Sequence, residues 1–152
     1  MPMVEGQTFA FFREHTLHEI PGCFESSNWE SLVMQLSHSE SSVCHAAIAV
    51  GAMHRSMRGQ CPSLQIDSYL DHVNSFAVKY YVKSLNRLRK RLSGPADSEC
   101  EHLALVTCLL FICFEMLQRN RPGAVAHLRN GLRILLTLGS HTMHLEPEMN
   151  RM

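Results

Sequence analysis

The stretch Leu103-Ala104-Leu105-Val106-Thr107-Cys108-Leu109-Leu110-Phe111-Ile112-Cys113-Phe114, closed by Glu115, is the most apolar in the chain. Its reading decides the fold. As a helix its twelve residues span about 18 Å, short of the roughly 30 Å hydrocarbon core of a bilayer. It therefore reads as a buried core helix and not as a membrane span. Upstream, Ser98 is placed to cap it, with Glu99 and Glu101 set against its positive end. The helix is expected to run to about residue 119.

The next four residues, Asn120-Arg121-Pro122-Gly123, are too short a link for anything but an antiparallel return. A further helix over 124–138 then places Ala124, Leu128, Gly131, Leu132 and Leu135 on one face. Gly139 is expected to end it. The two helices form an αα-hairpin. Residues 140–152 show no apolar period and are expected to be a flexible tail.

Working back from the hairpin, the spacing predicts a helix over 71–92 stopped by Ser93-Gly94-Pro95. Phe76, Tyr80, Tyr81, Leu85, Leu88 and Leu92 face inward there, while Lys83, Arg87, Lys90 and Arg91 face outward. Before it, Val43, Ala46, Ala47, Val50, Met53, His54 and Met57 hold one stripe over four turns. Ala46, Ala47, Ala49, Gly51 and Ala52 crowd this helix with small residues, so a neighbour can approach closely and the helix should be central to the packing. Residues 37–42 are polar and turn-rich. Ahead of them Asn28 is a candidate N-cap for a helix carrying Trp29, Leu32, Val33 and Leu36 on one face. The first helix covers 8–20, with Phe9, Phe12, Thr16 and Ile20 at helical spacing and Pro21-Gly22 closing it. Loops are expected over 23–27 and 59–64. No apolar/polar alternation bounded by hairpin turns occurs. The expected fold is all-α, an irregular array of about six helices in a single domain over 1–139.

The 152 residues carry 14 Lys+Arg against 14 Asp+Glu, with 45% apolar and 18% charged residues. That length suits one domain. The zero net charge leaves no overall positive field to attract nucleic acid or anionic lipid, and the apolar content excludes a disordered chain. The six cysteines are separated by 21, 17, 39, 8 and 5 residues, so the close Cys pair that usually begins a structural zinc site is missing. The N-terminus has no basic and apolar regions of a signal peptide. The six are read as reduced thiols of an intracellular protein.

Taken in order, these segments resemble the regulatory region of fungal zinc-binuclear-cluster transcription factors. Phe11-Phe12-Arg13-Glu14-His15-Thr16-Leu17 is similar to that family's aromatic opening helix. Trp29 to Glu40 is similar to its W-x-x-L-x-L-Q-x-S-x-x-E segment, and Val43 to His54 to V-x-H-A-x-x-A-L-G-A-L-H. Tyr81, Lys83, Leu85 and Leu88 match a Y-x-K-A-I-x-x-L helix. Cys108 to Leu117 matches C-L-L-F-x-C-F-E-x-L, and Ala126-His127-Leu128 with Gly131 to Leu135 matches the returning H-L-x-x-G-L-x-I-L. The resemblance covers about 9–138. Arg119 stands where the family often has Gly, and Ser42 where it often has Pro. The family's six-cysteine DNA-binding cluster has no counterpart in the cysteine spacing here, and its helical region runs on further.

The resemblance implies a non-enzymatic, nuclear regulator without its own DNA-binding part, acting by helix-face contacts with a protein partner or with itself, in a setting such as secondary-metabolite gene control. No direct nucleic-acid contact, membrane, cofactor or metal is expected. If the helical region stops early, apolar faces are left uncovered, and such faces mark interaction surfaces.

The residues themselves nominate no catalytic or ligand-binding set. His15 and His18, and His141 and His144, are spaced three apart but lack the further ligands zinc requires. His45, His54 and His127 are expected to donate a ring N–H to a neighbour. Glu115 is expected to be a paired buried carboxylate, meeting an arginine such as Arg129 or Arg133. There is no G-x-S-x-G elbow or G-x-x-x-x-G-K loop. Cys44 and His45 point about 100° apart on a helix and cannot act together. Arg87-Leu88-Arg89-Lys90-Arg91 is read as a solvated face. Two alternatives stay open. One is a helical small-molecule binder or enzyme with a pocket between the third and fifth helices, where His45, His54 or Glu115 would converge. The other is a truncated remnant without function.

Overall fold

The computed structural model describes residues 2–19, 27–58, 66–94 and 98–149. Its elements are α1 (Met3–Phe11), a π-helical segment (Phe12–Thr16), α2 (Leu17–Glu19), α3 (Ser27–Ser39), α4 (Ser41–Met57), α5 (Ile66–Leu92), α6 (Ser98–Leu117) and α7 (Arg121–Met149). The first three follow without a break as one rod, so the described residues form six rods and no strand. The all-α fold and the C-terminal hairpin are those the sequence implies.

The first rod begins at Met3, five residues earlier than the aromatic spacing suggests. Its π-helical segment follows from what it buries. Phe11 and Phe12 are buried, and so are Thr16 and Leu17. The two pairs are five residues apart, the i→i+5 repeat of a π turn, so both meet the core. Opposite Phe12 lies Gly51 of α4. A Cβ there would stand 3.0 Å from the Phe12 Cβ and 3.0 Å from the Thr8 carbonyl oxygen. The absent side chain lets the two helices touch.

α4 is the central rod, as its small residues suggest. It packs on α1, the π segment, α3, α5 and α6. Every residue from Ala46 to Met53 is buried, so the helix is enclosed on all sides and not amphipathic. Phe12, Phe111, Phe114, Ile48, Val33, Val43 and Val50 are the largest fully buried side chains. Each contributes about 1.5–3 kcal/mol of hydrophobic stabilisation.

Several local expectations are corrected. α3 continues to Ser39 because the buried Ser37 hydroxyl donates to the Val33 carbonyl at 2.7 Å, which satisfies it inside the helix. Only Glu40 separates α3 from α4. Asn28 lies within α3 instead of capping it. Leu32 and Leu92 are exposed, while Ala77 and Ser84 join Tyr80 and Leu88 on the buried face of α5. α5 starts at Ile66 rather than residue 71. α7 passes through Gly139 to Met149; a glycine inside a helix costs about 1 kcal/mol and does not by itself end it. Ile20, Cys23, Cys61 and the loop over 59–64 lie outside the described residues.

By length and composition α6 is apolar enough to cross a bilayer, yet most of it is buried within the fold. Its buried face carries Leu103, Val106, Leu110, Phe111 and Phe114.

Candidate functional site

At the closed end of the hairpin a polar network sits inside the core. Glu115 is 7% exposed. Its Oε1 accepts the Tyr81 hydroxyl proton at 3.0 Å, and its Oε2 accepts from the Asn120 amide at 2.6 Å. The Tyr81 oxygen lies 2.7 Å from His127 Nε2. A phenol has one O–H, which already donates to the carboxylate, so Nε2–H donates to the phenol oxygen. His127 Nε2 is also 3.9 Å from Glu115 Oε1. Burial and the adjoining carboxylate hold the Tyr81 phenol far above its ordinary range, and burial lowers the His127 pKa. The network holds its protons; it is built to join α5, α6 and α7.

The turn is part of the same construction. Arg119 adopts φ 59°, and its N–H donates to the Met116 carbonyl at 3.0 Å while the Asn120 N–H reaches the Glu115 carbonyl at 2.8 Å. This pair of bonds is a Schellman stop. Asn120 Oδ1 then accepts from the Gly123 N–H at 3.2 Å. A Cβ on Gly123 would lie 2.6 Å from Asn120 Nδ2 and 2.8 Å from the Glu115 carboxyl carbon, so only glycine fits over this hydrogen-bonded pair. Glu115 is thus a buried carboxylate with partners, as expected, but no arginine is among them. Arg129 and Arg133 are exposed, two and three turns along α7 from the level of Glu115.

The other histidines go to separate places. His54 Nδ1 is 3.0 Å from Thr16 Oγ1, and its Nε2 is 3.6 Å from Glu19, which also meets Arg58 at 3.0 Å. His45 stands edge-on to Tyr80 at 5.6 Å, and its Nδ1 has no hydrogen-bond partner among the described residues, contrary to expectation. Burial lowers the pKa of both, with Lys83 and Arg87 adding to the effect at His45. His15 pairs with Glu19 and His18 with Glu30, so these two diverge. The side chains of His141 and His144 lie outside the described residues. No group of three or more potential metal-ligating side chains gathers among the described residues. Cys44 and Cys108 are free thiols, each raised in pKa mainly by burial, and the Cys100 sulfur lies 3.2 Å from Arg91. Arg87, Arg89 and Lys90 are exposed, and Arg91 lies 3.6 Å from Glu40.

The outer face of the hairpin is different in kind. Leu105, Leu109, Ile112 and Met116 run along α6 at spacings of three and four. Along α7, Val125, Leu128, Leu132, Leu135 and Leu136 leave a parallel strip, each 45% exposed or more. Between the helices lies a cavity of about 190 Å³, floored by Cys108 and Gly131 and walled by leucines and Ile112. α7 packs on α6 and on no other element to a similar extent, so nothing covers this side among the described residues. The composition of the stripe was legible in sequence, as was the prospect of an uncovered apolar face; that this stripe is that face was not.

The sequence matches the fungal-specific transcription factor domain over residues 9–151. The chain belongs to that family. Among curated proteins, the aspercryptin biosynthesis cluster-specific transcription regulator atnN of Emericella nidulans is 27% identical over 133 residues, 86% of this chain and 20% of that regulator. The chain therefore spans about a fifth of its relative's length. No solved structure matches it. In this fungal-specific transcription factor domain, the segments that resemble the family, Cys108 to Leu117 and the returning His127 helix, are those that build both the Tyr81–Glu115–His127 network and the apolar face.

Proposed function

We propose that this fungal-specific transcription factor domain is a non-enzymatic regulatory unit, acting on the transcription of secondary-metabolite genes through helix-face contacts with protein. The observation that carries this reading is the uncovered apolar strip of α6 and α7 around the 190 Å³ groove. Monomeric surfaces seldom expose contiguous apolar area of this kind without an interaction to bury it. The resemblance to a cluster-specific regulator supplies the biological setting. The six-cysteine spacing of a zinc cluster does not occur within these 152 residues, so their contribution is regulatory contact rather than base reading, and the nucleus is where it is made.

The alternative of a small-molecule binder or pocket enzyme asked for a cavity with converging polar groups such as His45, His54 or Glu115. They are bound up in three separate places, beside Tyr80, Thr16 and Tyr81 respectively, which favours the contact reading.

The test is genetic. Deletion of the gene is complemented either with the wild-type chain or with Leu132→Asp, and transcripts of the secondary-metabolite genes that respond to the deletion are measured. Wild type restores their levels and Leu132→Asp does not, although circular dichroism shows it folded. Full complementation by the folded variant overturns the proposal.

A further inference from the structure

We infer that the partner on the apolar hairpin face is a second copy of this chain, docked antiparallel about a two-fold axis through the groove. This rests on the contact reading above and names its occupant. The register comes from charge. On α6, Glu101 lies four residues before Leu105 and so shares its face; on α7, Arg121 lies seven before Leu128 and shares that one. Neither forms an ion pair within the chain among the described residues. Gly123 sits beside Glu115, and Gly131 beside Cys108, which fixes the levels of the two helices. Glu101 is then at one end of the face and Arg121 at the other, with Leu109 and the groove midway.

A face with an acid at one end, a base at the other and an apolar cleft between is complementary to itself after a half-turn. Glu101 of each copy meets Arg121 of the other, and the groove receives an aliphatic side chain from the opposite helix. A two-fold interface requires this kind of self-complementarity. The twenty residues of α6 give a length of about 30 Å. Two packed helices present a width of about 20 Å, so each copy buries on the order of 600 Å², near the lower limit for a specific interface. The dimer is accordingly expected to dissociate at about micromolar concentration.

The experiment is sedimentation equilibrium of the full 17.3 kDa chain, from about 1 to 100 μM, with circular dichroism to confirm folding. Wild type dimerises. Arg121→Glu and Glu101→Lys, each alone, place like charges at both ends of the dimer and weaken it about tenfold. Mixed in equal amounts they restore both opposite-charge contacts, and association returns to within about twofold of wild type. Leu132→Asp, and separately Leu109→Asp, abolish the dimer. A wild-type chain that stays monomeric throughout, or a mixture no tighter than its components, overturns the inference. A monomeric wild type whose Leu132→Asp variant still fails to complement would leave the contact reading standing and overturn the second copy as its occupant.

Discussion

The Tyr81 hydroxyl donates to Glu115 at 3.0 Å across 34 residues of sequence, and the same oxygen accepts from His127 on the returning helix. One phenol therefore ties three helices to a buried carboxylate. Tyr81 also stacks on Phe114 at 4.6 Å and meets Phe111 edge-on at 4.8 Å, so its ring is held by the core while its oxygen serves the network. Tyr81→Phe keeps the ring and removes the donor. Leaving a buried carboxylate short of one bond should cost about 1–3 kcal/mol. For a chain of this length that is a fall of several degrees in Tm, read by thermal denaturation. An unchanged Tm would mean that the hydroxyl is dispensable.

Acid should loosen the fold before it affects the ordinary carboxylates. His45, His54 and His127 each have a pKa lowered from 6.5 chiefly by burial. The unfolded chain then binds more protons than the folded one between 6.5 and the lowered folded-state values, so stability is full above 6.5 and is lost as pH falls from there toward those values. Urea unfolding at pH 7.5, 6.5 and 5.5 should give steadily lower midpoints. His127→Gln should flatten part of that slope, and a slope of opposite sign would reject the account.

Arg119 occupies the left-handed position that ends α6, with φ 59°. A side chain costs about 1–2 kcal/mol there, and glycine does not. Arg119→Gly should accordingly raise the urea midpoint, by an amount equivalent to about 0.5–1 kcal/mol after the added backbone freedom of the unfolded chain is counted. A lower midpoint would show that the arginine side chain contributes more than its backbone costs.

Gly51 and Phe12 touch where the π-helical segment crosses α4. Gly51→Val places branched carbon atoms where a single Cβ already stands 3.0 Å from two neighbours. Both partners are enclosed, so the rod must move as a whole, at about 2–3 kcal/mol. Chemical denaturation should register the loss, and native-state hydrogen exchange should locate it in α1 and α4.

The contrast between α4 and α6 shows how far the sequence carries. The all-α class, the order of the rods, the centrality of the small-residue helix and the antiparallel hairpin all follow from periodicity, from Gly and Pro placement and from a four-residue link. These are local properties, set by which residues can share one side of a helix. The family resemblance was legible for the same reason, since its motifs are core faces. Helix ends were less legible. Ser37 and Gly139 are turn residues by preference, and each lies inside a helix because its surroundings satisfy or tolerate it.

The sequence by itself determined that Glu115 would be buried, because it closes an apolar run. Only the tertiary structure decided that its partners are Tyr81, Asn120 and His127 rather than an arginine. That choice depends on which residues of α5 and α7 stand level with it once the hairpin has closed. Likewise Leu128, Leu132 and Leu135 are apolar in any reading, but whether they face a core or the outside depends on which rods lie beside α7. An apolar side chain lowers its free energy against any apolar neighbour, so the residue type records that it is to be buried without recording by what. In this fold α6 covers one side of α7, and among the described residues the other side stays open.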